Sequence, residues 1–194
     1  MTTVVFFGLL STGMIFISRI YYLRSIFAGI TRPHAFSWLI WGSISSIGFA
    51  AQVAEGAGAG SWARGFAAAT CFLLAVLGYY KGDRAYTRAD WITLAVAFLA
   101  IPLWVITKTP VWSVILVCFI DTIGYLPTVR KSWHKPTEES AAGYALFTLG
   151  AMFSLLALEN YTLSTWLYPV VLVISNASMA VYLLVRRQRK TAIA

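Results

Sequence analysis

Charge is scarce in this chain, and acid is scarcest. Seven Asp and Glu stand against fifteen Lys and Arg, and charged residues make up only 11% of 194 positions, where a soluble domain carries about 25%. A surface wetted on every side cannot be built from so few charges, so a soluble globular protein is excluded. Only two cysteines occur, Cys71 and Cys118; they form no CxxC pair and fall inside apolar runs. They read as buried thiols, not as a disulfide framework or a metal clip. The two histidines, His34 and His134, lie in polar connections away from any acid cluster. They read as solvated loop residues, and no metal site is expected. No nucleophile stands beside a base and no cofactor motif is present, so neither an enzyme nor a cofactor is expected.

What fills the chain instead is hydrocarbon: 59% of residues are hydrophobic and the mean hydropathy is +0.74. Seven apolar runs, 4–20, 36–54, 62–80, 91–106, 111–129, 141–158 and 163–185, each approach the length that crosses a bilayer at about 1.5 Å per residue. The expectation is an all-α membrane protein of seven transmembrane helices with no soluble domain. The first run has no basic segment before it and no small-residue cleavage site, so it is expected to be a retained span. The net charge of +8 does not require nucleic acid, because thirteen basic residues, Arg19 and Arg84 among them, fall at alternate helix ends. Only Arg64 and Lys108 are left for the other side. That bias places the N-terminus outside and the C-terminus in the cytoplasm of a cell membrane, with a bacterial inner membrane as the expected location. Topology and contact with the lipid bilayer account for the basic residues.

The runs divide as three, one and three. Shifting the first trio by 106 residues lays Ile17 on Ile123, Arg24 on Arg130, Trp38 on Tyr144, Trp41 on Phe147, Trp62 on Tyr168 and Thr70 on Asn176. Three crossings invert the chain and a fourth restores its side, so the two trios run parallel. The expected units are residues 1–88, a first three-helix bundle; 89–108, a linker helix; and 109–194, a second bundle with a short basic tail.

This 3+1+3 pattern, with "GYLPTVRKSWHKPTEES" closing the fifth run, resembles the PQ-loop superfamily, which includes the SWEET sugar transporters and the lysosomal cystine transporter. That family kinks the first helix of each trio with a Pro-Gln pair. Here Pro127 and Thr128 fill those places in the second trio, and Tyr21 and Tyr22 in the first. The resemblance implies transport of a small polar solute, a sugar, amino acid or similar, through a mid-membrane site. It also implies an alternative, since the KDEL receptor uses a similar fold to recognise a partner without transport. SWEET transporters hold their sugar with an asparagine on the third helix of each trio, and by that likeness Asn176 matches while Thr70 departs.

The residues themselves supply further candidates. Asp121 sits eleven positions into its run, at a depth where an ionised carboxylate costs about 2.5–3.5 kcal/mol. Desolvation favours its protonated form, so Asp121 is the candidate for proton coupling, and a neutral carboxyl bonded to a neighbouring helix is its plain alternative. Pro127 breaks the helical ladder, and Gly124 beside it removes bulk, which suits a hinge or a static kink. Asn176 lies among Ser175, Ser178 and small alanines, a setting for helix packing or solute binding. Trp38 and Trp41 share a helix face, as do Tyr144 and Phe147. Trp38 falls where an interfacial belt is usual, and Trp41, one turn deeper, could wall a solute site. Arg19 either snorkels to the headgroups or turns inward as a counter-ion for Asp121 or an anionic substrate. "EGAGAGSWARG" follows no strand and reads as a flexible hairpin, not a phosphate cradle. The seventh run contains no lysine, which excludes a retinal Schiff base.

Overall fold

The computed structural model describes residues 2–82 and 87–193. Arg84 lies outside the described residues, as do the side chains of Pro127 and Lys190. Among the described residues the chain is entirely helical: α1 (Thr3–Phe27), α2 (Ala35–Ala54), α3 (Trp62–Lys81), α4 (Arg88–Phe98), α5 (Ala100–Thr107), α6 (Pro110–Gly124), α7 (Leu126–His134), α8 (Ala141–Leu156) and α9 (Leu163–Ile193), with short 3-10 turns at Gly58–Ser61 and Pro136–Glu138. Three helices start on a side-chain cap that accepts an otherwise orphaned N–H. Thr2 receives Val5 N at 3.4 Å, Ser140 receives Gly143 N at 3.1 Å, and His34 Nδ1 receives Ser37 N at 3.4 Å. His34 is therefore a helix cap, not the solvated loop residue expected.

Four segments are long and apolar enough to cross a membrane: Thr3–Phe27, Gly58–Lys81, Pro110–His134 and Leu163–Arg189. Their outward faces carry Phe6, Leu9, Phe16, Phe72, Phe119 and Val181 exposed, an apolar belt that needs lipid to cover it. The protein is membrane-embedded. α8 has 16 residues, about 24 Å of helix. α2 has the length but carries four serines and Gln52, and fourteen of its twenty residues are buried. An interior helix faces protein on all sides and has no need of an apolar circumference.

The fourth run was expected to be one linker helix. It is two, α4 and α5, parted at Leu99. Pro102 supplies the reason, because it cannot donate to the Phe98 carbonyl and its ring crowds that group. The fifth run breaks too, at Tyr125, two residues before Pro127. Tyr125 N bonds back only three residues, to Thr122 O at 3.4 Å, and the regular ladder resumes with Val129 N to Tyr125 O at 2.8 Å. α1, with Tyr21 and Tyr22 in the matching places, runs unbroken.

Packing follows an exchange pattern. α3 touches both α1 and α2, and α9 touches both α6 and α8, while α1 lies along α8 and α2 along α6. Each trio's first helix is thus seated against the other trio's second. α4 contacts α2 and α6, and α5 lies on α6. The α1–α8 seam is close because small residues recur every seven positions on both sides. Ser11 Oγ donates to Gly150 O at 2.6 Å and Ser18 Oγ to Gly143 O at 2.8 Å. A Cβ on Gly150 would sit 2.8 Å from Ile15 Cγ1.

Candidate functional site: a cavity between the helices

Six helices contribute side chains to one cavity. α1 presents Ser18, Arg19 and Tyr22; α2 presents Trp38, Trp41 and Ser45; α6 presents Asp121, with Tyr125 at its end. α8 adds Tyr144 and Phe147, and α9 adds Tyr168, Leu172 and Asn176, with Cys71 from α3. These side chains line a cavity of about 50 Å³. At about 10–15 Å³ per water on that measure, it holds roughly three to five waters.

Arg19 faces inward, only 7% exposed. Its Nε donates to Thr70 Oγ1 at 3.1 Å and its Nη2 to Cys71 Sγ at 3.5 Å. The guanidinium rests between two rings, 4.9 Å from the Trp38 centroid and 5.2 Å from that of Phe147, an arrangement that favours a cation through the ring quadrupoles. Trp38 is buried, not part of an interfacial belt, and meets Tyr22 and Trp41 edge-on at 5.0 and 5.1 Å. Thr70 does not line the cavity. It holds Arg19 from behind, its hydroxyl also bonding Phe66 O and Ala67 O at 3.0 Å.

Asp121 is 2% exposed. Its Oδ1 accepts from Tyr168 OH at 3.4 Å, and its Oδ2 has no hydrogen-bond partner. Tyr168 stands between Asp121 and Arg64, its hydroxyl meeting the carboxylate and its ring the guanidinium, and among the described residues no ion pair joins Asp121 to Arg19. Arg64 was assigned to an outer membrane face, yet it is 6% exposed with its guanidinium 3.9 Å from the Tyr168 ring centroid. It borders a second cavity of about 10 Å³, shared with Phe147 and Leu172, the room of about one water. With Arg19 and Arg64 both interior, the basic residues left to report topology are twelve against Lys108 alone.

Asn176 lines the main cavity and donates Nδ2 to Leu172 O at 2.8 Å. Gly124 faces Trp41, whose Nε1 would lie 3.1 Å from a Cβ there. Its lack of a side chain thus admits the indole as well as standing beside the bend. Trp41 Nε1 itself is buried without an acceptor.

Contacts between the two trios flank the cavity at both ends. On the basic end, Glu139 is 4% exposed and pairs with Lys131 Nζ at 2.5 Å. Tyr22 and Tyr144 each donate a hydroxyl to its Oε2 at 3.5 Å, and Lys131 also reaches Arg32 O at 3.0 Å. Burial pushes the Glu139 carboxyl up from its ordinary value, while Lys131 and the hydroxyls of Tyr144 and Tyr22 oppose that shift. At the other end, Glu159 N donates to Ala57 O at 3.3 Å, Asn160 Nδ2 to Glu55 O at 3.0 Å and Gln52 Nε2 to Thr165 O at 2.9 Å. The glycine-rich segment is therefore a docked turn with Ala57, Ala59, Gly60 and Ser61 buried, not a flexible hairpin.

Sequence reasoning passed over Arg64, Tyr168, Tyr22 and Glu139. Arg64 carried a signal, since it stands two residues inside an apolar run. Tyr22 and Ser18 carried another, three and one positions from Arg19, so that one helix face holds all three. Glu139 carried none, because only the fold brings it under Tyr22. No model of a known protein family, no curated protein and no solved structure matches the chain.

Proposed function

We propose that the protein is a membrane transporter that carries a small polar solute through the central cavity by alternating access. The observation that carries this reading is the cavity itself: mid-bundle, walled by polar and charged side chains from both trios, and flanked at each end by contacts between the trios that a relative movement would break. A wall of that composition inside lipid is costly unless something passes or binds there. In this reading the architecture is seven spans, two parallel trios joined by α4 and α5, with the N-terminus outside. The exchanged packing of α1 on α8 and α2 on α6 supports two equivalent trios. The bridged ends correspond to an occluded state. Trp38, Trp41, Tyr144 and Asn176 contact the solute, Arg19 holds charge near it, and Thr70 serves by positioning Arg19. Asp121 relays a proton, and the Tyr125 break before Pro127 provides the bend, as the resemblance to PQ-loop transporters implies.

Flux in proteoliposomes tests the coupling. The parent should transport at a rate that changes with pH, and Asp121→Asn should transport slowly with no pH dependence. Equal, pH-independent transport by both would remove Asp121 from the mechanism. The alternative, a receptor working through its basic rim, finds Lys131, Arg186 and Arg187 already bonded to Glu139, Trp133 O and Pro136 O. Those internal bonds favour transport as the first reading. Neutralising exposed rim arginines should leave flux intact.

A further inference from the structure

The central cavity and the smaller one beside it hold more buried positive charge than their walls neutralise. Among the described residues no carboxylate lies within ion-pair distance of Arg19; its Nε and Nη2 meet only a hydroxyl and a thiol, and its faces meet rings. Asp121, the carboxylate that lines the cavity, stands with Arg64 through Tyr168. Two buried guanidiniums, Arg19 on this cavity and Arg64 on the neighbouring one, therefore share one carboxyl group, and the cationic surplus of the pair persists whether that carboxyl is ionised or not. A buried cation without a counter-charge is strongly disfavoured, and an anion entering beside it is correspondingly favoured.

Two residues that line the cavity each hold a buried polar atom without a partner. Trp41 Nε1 is a donor with no acceptor, and Asp121 Oδ2 is an acceptor with no donor; both residues are more than nine-tenths buried. An occupant that satisfies all three groups needs anionic oxygens for Arg19 and Trp41 and an adjacent donor for Asp121. The room is that of roughly three to five waters, about 90–150 Å³ of liquid, which suits a solute of about six non-hydrogen atoms. A hexose has about twice as many.

The geometry points to a small organic anion, a carboxylate bearing a neighbouring hydroxyl group (a 2-hydroxy acid), as the solute of this cavity, held by Arg19 and Trp41 at its carboxylate and by Asp121 at its donor. This rests on the reading that the central cavity is the solute site. It narrows that reading from any polar solute to one class, and it disfavours neutral sugars.

The test is binding to the purified full chain in lipid nanodiscs, followed by titration calorimetry with L-lactate, L-alanine, glycerol and D-glucose. Saturable binding of lactate, with none by alanine, glycerol or glucose, is expected. Alanine binding in place of lactate would overturn the selection for a net anion. Trp41→Phe keeps a ring in place and removes only the indole donor, so it should weaken carboxylate binding on the order of tenfold, the value of about one hydrogen bond. Arg19→Gln should abolish binding and Arg19→Lys recover part of it. If Arg19→Gln does not fold, Trp41→Phe decides. Alanine, glycerol or glucose binding as well as lactate, no binding by lactate, or Trp41→Phe binding like the parent would overturn the inference. Carboxylate binding without counterflow in proteoliposomes would leave it standing and sink the transport reading. Glucose flux without carboxylate binding would do the reverse.

Discussion

Two buried carboxyl groups in this protein are treated differently by their surroundings. Asp121 has one hydroxyl donor and one oxygen without a hydrogen-bond partner, whereas Glu139 has a lysine and two tyrosine hydroxyls. Even so, burial outweighs those partners and raises the Glu139 carboxyl above its ordinary value of 4.5. A carboxyl that titrates higher folded than unfolded contributes stability that is present at low pH and is lost as pH rises through the folded value. The parent should therefore lose stability as pH climbs above 4.5, and Glu139→Gln should remove that part of the slope. Melting temperature measured across pH 4 to 8 in detergent compares the two, and an identical slope in both would show that Glu139 does not titrate in this window. The same group ties Tyr22 on α1 to Tyr144 on α8, so its protonation state also bears on how firmly the basic end is held.

At the scale of helices, the α1–α8 seam is set by volume. Gly150 allows Ser11 to reach its carbonyl and leaves no space for a Cβ beside Ile15. Gly150→Val should cost about 1–3 kcal/mol, the range for overpacking a close contact. Gly13 on α1 has nothing within 4 Å of its would-be Cβ, so Gly13→Val should change stability far less. Thermal unfolding of both variants decides whether the seam or glycine content in general matters. The α6–α7 break offers a second expectation. Pro127→Ala supplies a backbone donor where the fifth run breaks, so melting temperature should rise. If the break is the moving part of a transport cycle, flux should fall in the same variant. Raised stability with undiminished flux would make it a static kink.

For the whole molecule, the proposed alternating access requires the two trios to part at one end while staying joined at the other. Glu55 and Asn160 are bridged across the end opposite Glu139, and the native thiols, Cys71 and Cys118, are buried. Joining Glu55→Cys to Asn160→Cys with a short bis-maleimide should stop flux, while the unlinked double variant continues to transport. Continued flux after complete linkage would mean that this end does not need to open. The exposed apolar belt gives the matching expectation for environment: lipid or detergent must cover Phe6, Phe16 and Phe119, and removing it should aggregate the protein.

The sequence determined by itself that this chain is helical and belongs in a membrane, because scarcity of charge and span-length apolar runs leave few other folded states for it. It also placed Asp121, Trp41, Asn176 and Tyr144 on the table, since a polar or aromatic side chain is conspicuous in such a background. What it could not supply was direction. Whether Arg19 snorkels or turns inward, whether Arg64 is rim or interior, and that Thr70 stands behind Arg19 instead of facing the cavity all depend on how helices rotate about their axes. That rotation is decided by packing between trios, through Ser11 on Gly150 and Trp41 on Gly124, and such contacts between residues far apart in sequence exist only once the chain has folded.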